Sequence, residues 1–288
     1  MPPKIHLVRH AQGYHNLGIE HMNIHDPLLT DYGKKQCHEL RRNFPNLSGI
    51  ELLVASPMRR AIYTALEAFL PDYEKPDGRK LIALPELQEL SDMPCDVGSS
   101  LADLKAEMEA QGAPVDLSGL DENWTEKTGR LGITIERIFE RAQYVRQWLM
   151  ARPEKEIVVV SHGGFLHFLT EDWEEGCKGE GTIHKPVNQN SAQKLDLVGS
   201  FQSNQYVTGT GWVNTEFRTY EFGSMANGHA QKCHEGTNDI SLKETVESRR
   251  RRDKPDPSPT REQQKELCEQ VLDGWAKQGY PIPSENDR

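Results

Sequence analysis

Short apolar runs that stop abruptly recur along the chain. Ile5-His6-Leu7-Val8 ends in Arg9-His10, Glu51 to Ala55 runs into Ser56-Pro57, Lys80 to Leu84 stops at Pro85, and Ile157 to Ser161 ends at His162-Gly163-Gly164. Runs of this length, rich in β-branched residues and bounded by turn formers, predict buried strands. The alternation of Trp212 to Phe222 predicts a last strand. Between the strands lie segments of helical spacing: Tyr32 to Asn43, Met58 to Phe69 with Pro71 as its stop, Leu101 to Gln111, Ile133 to Met150, and Phe165 to Trp173. Thr30 or Asp31 can cap the first of these. Strand and helix alternate, which predicts a three-layer α/β/α fold with a mostly parallel central sheet.

The runs that break the alternation carry the remaining organisation. Gly13 to Pro27 is polar, His-rich and loop-like. Residues 90 to 130 exceed what a compact sheet needs between strands and are expected to form a cap over the site. Glu174 to Gln205 has little pattern, and its GCKGEGT stretch reads as a surface loop. Residues 1–223 are expected to form the catalytic domain. Residues 224–288 form an extension in which Arg249 to Arg252 and a Pro-rich linker precede one amphipathic helix, Arg261 to Gln278. The basic run reads as a solvated tail, with a nuclear-import signal as the alternative.

In open parallel sheets ligands bind beyond the carboxyl ends of the strands. Three of the predicted strands therefore deliver Arg9, His10, Arg60 and His162 to one edge. Arg60 falls in the first turn of its helix, where an anion meets both a guanidinium and the positive end of the helix dipole. Gly163-Gly164 allows a tight turn beside a ligand.

Composition narrows the classes. A formal net charge of −10 argues against a nucleic-acid-binding surface, so an anionic substrate needs a local cationic pocket. Mean hydropathy of −0.71 and the absence of any apolar run near the roughly 20 residues of a membrane span argue against a membrane protein. The chain enters its first strand almost at once, which leaves no room for a leader and leads to a cytoplasmic expectation, with the nucleus as the alternative. Five scattered Cys without a Cys-x-x-Cys pair fit reduced thiols. His21 and His25 have the i, i+4 spacing of a metal pair but no carboxylate or Cys at a matching offset, so no metal and no cofactor are expected.

The ordered set LVRHAQGYHN, DPLLTDYGKKQ, ASPMRRAIYTA, LQEL and VVVSHGGFL resembles the histidine phosphatase superfamily, also called phosphoglycerate mutase-like. The resemblance covers roughly Lys4 to Gly223, with Ala11 standing where most members have Gly. It implies a phosphatase acting on a small phosphorylated molecule, with His10 as nucleophile. Arg9, Arg60 and His162 bind the phosphate, joined by Asn16 and Gly163. The acid falls on Glu89 in the Leu-Gln-Glu match, with Glu86, which also precedes a Leu, as the alternative. A neutral imidazole is nucleophilic near neutral pH, and a carboxyl beside a phosphate dianion should have a raised pKa. Arg and His offset the charge without a metal.

Three other readings stay open. A phosphomutase of the same family typically carries a Trp-Asn pair in the first motif, where this chain has Tyr14-His15-Asn16. A biosynthetic enzyme would reuse the anion pocket for a carboxylated, non-phosphate substrate. A binding module would keep only a vestigial site.

Overall fold

β1 (Lys4–Arg9), β2 (Leu52–Ala55), β3 (Leu81–Ala83), β4 (Val115–Asp116), β5 (Glu156–Ser161), β6 (Phe217–Phe222) and β7 (Leu242–Glu244) make one sheet, ordered β4-β3-β2-β5-β1-β6-β7. The computed structural model describes residues 1–73, 78–174, 176, 211–223, 240–254, 257–277, 279 and 282–284. β1 to β5 run parallel, and β6 lies antiparallel to both β1 and β7.

Alternation along the strands divides the core into two layers, as period-2 geometry requires. Val8, Leu53, Ala55, Val158 and Val160 pack with α1 (Asp31–Asn43), α2 (Arg59–Tyr73) and α3 (Leu101–Ala110). Ile5, Leu7, Leu52, Val54, Ile157 and Val159 pack on the other face with α4 (Ile135–Met150), α5 (Gly163–Thr170) and α7 (Arg261–Lys277). The result is the predicted α/β/α arrangement. Thr30, Ser100 and Thr134 accept an N–H in the first turns of α1, α3 and α4. Among the described residues no helix is long and apolar enough to cross a membrane.

Register positions the site. Arg9 pairs with Ser161 and Ala55 with Val160, so β1, β2 and β5 end level and release His10, Ser56 and His162 side by side.

Several elements depart from the sequence reading. α2 continues past Pro71 to Tyr73, because a proline in the last turn removes one hydrogen bond while burial of Phe69 and Tyr73 holds the turn. The stretch from 112 to 128 contains β4, a two-residue edge strand too short to show periodicity. Leu101, Leu104, Met108, Leu117, Leu120 and Trp124 join the sheet's own core, so much of 90–130 is built into the body of the fold. Trp212 to Glu216 is a loop that precedes β6. Residues 175 and 177–205, part of the expected surface loop, lie outside the described residues.

Past residue 223 the chain adds β7 and α6 (Val246–Arg251) before α7. Arg249 to Arg252 is not a solvated tail. Arg249 is buried against Glu174 and Glu244, Arg251 lies over the Phe217 ring, and Arg252 bonds Glu216 and Glu244. Glu244 closes β7 a few residues earlier, while Glu174 and Glu216 come from distant parts of the sequence and reach the arginines only in the folded chain.

Candidate active site

His10 leaves the end of β1 with 1% of its surface exposed. Its Nδ1–H donates to the Ala11 carbonyl at 2.7 Å, which fixes the tautomer and leaves Nε2 the unprotonated acceptor nitrogen. Arg60 points Nε at that nitrogen from 3.3 Å. Burial first, then the Arg60 and Arg9 charges, push the His10 pKa well below its ordinary value, so the ring is neutral. Ala11 turns into the core and its N–H donates to Thr64 Oγ1 at 2.9 Å, so its methyl does not face the cavity.

Arg60 is 1% exposed and held on two further sides. It donates to the Cys95 carbonyl at 2.5 Å and to Asp96 Oδ1 at 2.9 Å. The start of its helix is fastened by Asp26, a buried aspartate at φ 39° that accepts from the Arg59 N–H at 3.0 Å and from the Ser99 N–H and hydroxyl. One carboxylate thus ties the loop after β1, the first turn of α2 and the loop before α3 together. Arg9 donates to the Trp212 carbonyl, and burial lowers its pKa to about 10.

Glu89 sits across the cavity. Its carboxylate accepts the N–H groups of Gly164 at 3.2 Å and Phe165 at 2.9 Å, the first turn of α5. A Cβ at Gly164 would come within 2.7 Å of Glu89 Oε1, so only glycine lets the carboxylate approach this closely. Burial, followed by the Asp96 charge, raises the Glu89 pKa above the ordinary carboxylate range despite these N–H groups and Arg60. Glu86 is buried too, but it pairs with Arg130 and does not line the cavity.

Arg9, His10, Asn16, Arg60 and Glu89 line one cavity of about 470 Å³. His162 stands behind His10 with ring centroids 5.1 Å apart and its Nε2 within 2.8 Å of Ser56 Oγ. Neither it nor Gly163 reaches the lining, which Gly164 does. His15 is a third buried ring, 5.4 Å from His10 by centroids. Among the described residues no group of three or more His, Cys, Asp and Glu is placed to hold a metal ion.

The sequence model of the histidine phosphatase superfamily (branch 1) matches residues 5–199. This chain belongs to that superfamily. A "Phosphoglycerate mutase-like protein" of Arabidopsis thaliana is 31% identical over 218 residues, covering 62% of this chain and 79% of its own. A fission yeast relative (Schizosaccharomyces pombe) named "Probable phosphatase" is 30% identical, covering 55% and 73%. Among solved structures, a phosphoserine phosphatase of Entamoeba histolytica with bound 3-phosphoglyceric acid aligns at 19% identity and TM-score 0.43, covering 76% of this chain and 91% of its own.

Several groups of this histidine phosphatase superfamily site escaped sequence reasoning. Asp96 anchors Arg60, Asn214 donates to the His10 carbonyl at 2.9 Å, and Ser56 holds His162. Trp275, Ile282 and Pro283 close the cavity from the far end of the chain. Ser56 lies inside the ASPMRRAIYTA motif but its partner His162 is 106 residues away, and the others sit in no motif and meet the site only through tertiary contact. The assembled groups are a neutral imidazole, two guanidinium cations and a carboxyl whose pKa is raised by burial and the Asp96 charge.

Proposed function

We propose that this superfamily member is a metal-independent phosphomonoesterase working through a phosphohistidine on Nε2 of His10. The observation that carries the reading is the locked tautomer, in which Nδ1 is spent on the Ala11 carbonyl while Nε2 faces the cavity beside Arg60. Arg9 and Arg60 grip the non-bridging oxygens of the ester. Nε2 attacks phosphorus in line, the bond to the ester oxygen breaks, and Glu89 passes its proton to that oxygen. The leaving alcohol departs. Glu89, now ionised, takes a proton from water, whose oxygen displaces His10 from phosphorus and releases inorganic phosphate. His162 supports the ring of His10 from behind and takes up charge when the phosphate dianion is present.

Rapid quench of labelled substrate in excess chelator tests this reading. Wild type should carry an acid-labile, alkali-stable label that His10→Ala lacks, and equal labelling of both would refute the assignment. The name of the Arabidopsis relative keeps a phosphomutase as the second reading. It takes over if 3-phosphoglycerate gives 2-phosphoglycerate, dependent on 2,3-bisphosphoglycerate, with negligible free phosphate.

A further inference from the structure

The cavity, about 470 Å³, is far larger than a phosphate and its clamps, and its lining is of two kinds. Around His10 stand Arg9, Arg60, His15 and Asn16. The apolar part of the lining is Met22, Leu90, Met93, Ile133, Trp275, Ile282 and Pro283, gathered from four separate stretches of the chain. Its last stretch is held in place by named contacts. Gln264 of α7 accepts the Trp173 N–H at 2.8 Å, Trp275 packs edge-on to His167 with centroids 6.1 Å apart, and the Pro283 carbonyl accepts the Ile135 N–H at 2.9 Å. The wall is therefore part of the packed fold.

Charge sharpens the contrast. Among the described lining residues the only Lys or Arg side chains are Arg9 and Arg60, and the remaining charged groups are Glu89, Asp92 and Asp96. Away from Arg9 and Arg60, a second anion would meet carboxylates and aliphatic side chains among the described lining residues, since Lys127 and Arg141, whose charges act on Glu89, do not line the cavity. An uncharged apolar group would instead lose water against a preformed apolar wall.

We infer that the wall formed by Met93, Ile133, Trp275, Ile282 and Pro283 is a leaving-group subsite for phosphomonoesters of bulky, uncharged, apolar alcohols. This rests on the phosphatase reading for its catalytic step, but its binding content stands apart from it. It places specificity in the C-terminal extension and assigns small dianionic or carboxylated esters to the poor substrates.

Binding of three phosphonates, measured by calorimetry on the full chain, tests the subsite without requiring turnover. Naphthylmethylphosphonate should bind at least thirtyfold more tightly than methylphosphonate, and phosphonoacetate no better than methylphosphonate. Ile282→Glu and, independently, Met93→Glu should each cut the naphthyl-to-methyl affinity ratio at least tenfold. Phosphonoacetate binding as tightly as the naphthyl compound, or a ratio indifferent to both substitutions, overturns the subsite. Turnover of 1-naphthyl phosphate and 3-phosphoglycerate is followed in parallel. Absence of phosphate release from every ester, with the binding ratios as expected, would refute the phosphatase reading and leave the subsite standing. Faster hydrolysis of 3-phosphoglycerate, together with phosphonoacetate binding as tightly as the naphthyl compound, would leave the phosphatase reading standing and refute the subsite.

Discussion

Arg59 and Arg60 are neighbours on one helix, and replacing each by alanine should have very different consequences. Arg60 is almost fully buried, bonded to Asp96, the Cys95 carbonyl and His10. Its removal deletes a preorganised cation from the transition state, a loss on the order of 2.7 to 4 kcal/mol, or roughly 100- to 1,000-fold in kcat. It also leaves Asp96, whose side chain is 11% exposed, as an unpaired buried carboxylate, which costs about 3 to 5 kcal/mol of stability. Arg59 bonds Glu107 at 3.1 Å with a quarter of its side chain in solvent, and such a pair is worth about 0 to 1 kcal/mol. Arg60→Ala should therefore lose both activity and melting temperature, and Arg59→Ala little of either. The double variant Arg60→Ala/Asp96→Asn separates the two effects, since it should recover part of the stability and none of the rate. Steady-state kinetics with p-nitrophenyl phosphate and thermal melts of all three variants decide the matter. Comparable kcat/KM for Arg59→Ala and Arg60→Ala would show that Arg60 is not the guanidinium that holds the phosphate.

Other expectations concern protons and the leaving group. Glu89→Gln should slow hydrolysis of an alkyl phosphate far more than that of p-nitrophenyl phosphate, whose leaving oxygen needs little protonation; equal losses would move the acid elsewhere. On the proposed role Glu89 acts protonated, and since its pKa is raised, kcat/KM should fall as pH rises through that pKa. Asp96→Asn removes a charge that raises it and should shift the limb to lower pH, as read in a pH–rate profile. The pKa values of His10, His15 and His162 all lie well below the ordinary value in the folded protein, chiefly through burial. Below about pH 6.5 the unfolded chain then binds protons that the folded chain does not, so stability should fall on acidification by roughly 1.4 kcal/mol per pH unit for each ring. Denaturant titrations at several pH values should show His15→Gln reducing that slope by one ring's share, roughly 1.4 kcal/mol per pH unit.

What the sequence made legible was local. A strand is recognisable from its own four to six residues, and so are the side chains at its carboxyl end, which is why the local pattern alone puts Arg9, His10 and His162 on one edge. Arg60 followed because the helix after β2 starts at a fixed offset from the strand. The unread parts depend on residues far apart in the chain. Asp96 meets Arg60 across 36 positions and Asn214 meets His10 across 204, and neither lies in a recurring pattern. The basic run at 249–252 looks solvated in sequence because two of its partners, Glu174 and Glu216, lie far away in the chain and meet it only in the folded protein. The apolar wall of the cavity escaped for the same reason, being shared among segments each of which reads as ordinary core.

Glu89 also makes the start of a helix depend on the state of a proton. Its carboxylate closes the first turn of α5 through Gly164 and Phe165, a bond that is stronger to the ionised oxygen than to the neutral acid. On the proposed role, the cap is weakest while substrate waits and tightens as the alcohol leaves, so each chemical step is accompanied by a change in the grip on α5. Amide exchange at Gly164 and Phe165 then becomes a clock for the reaction, slowing when Glu89 has given up its proton and quickening when it has regained one.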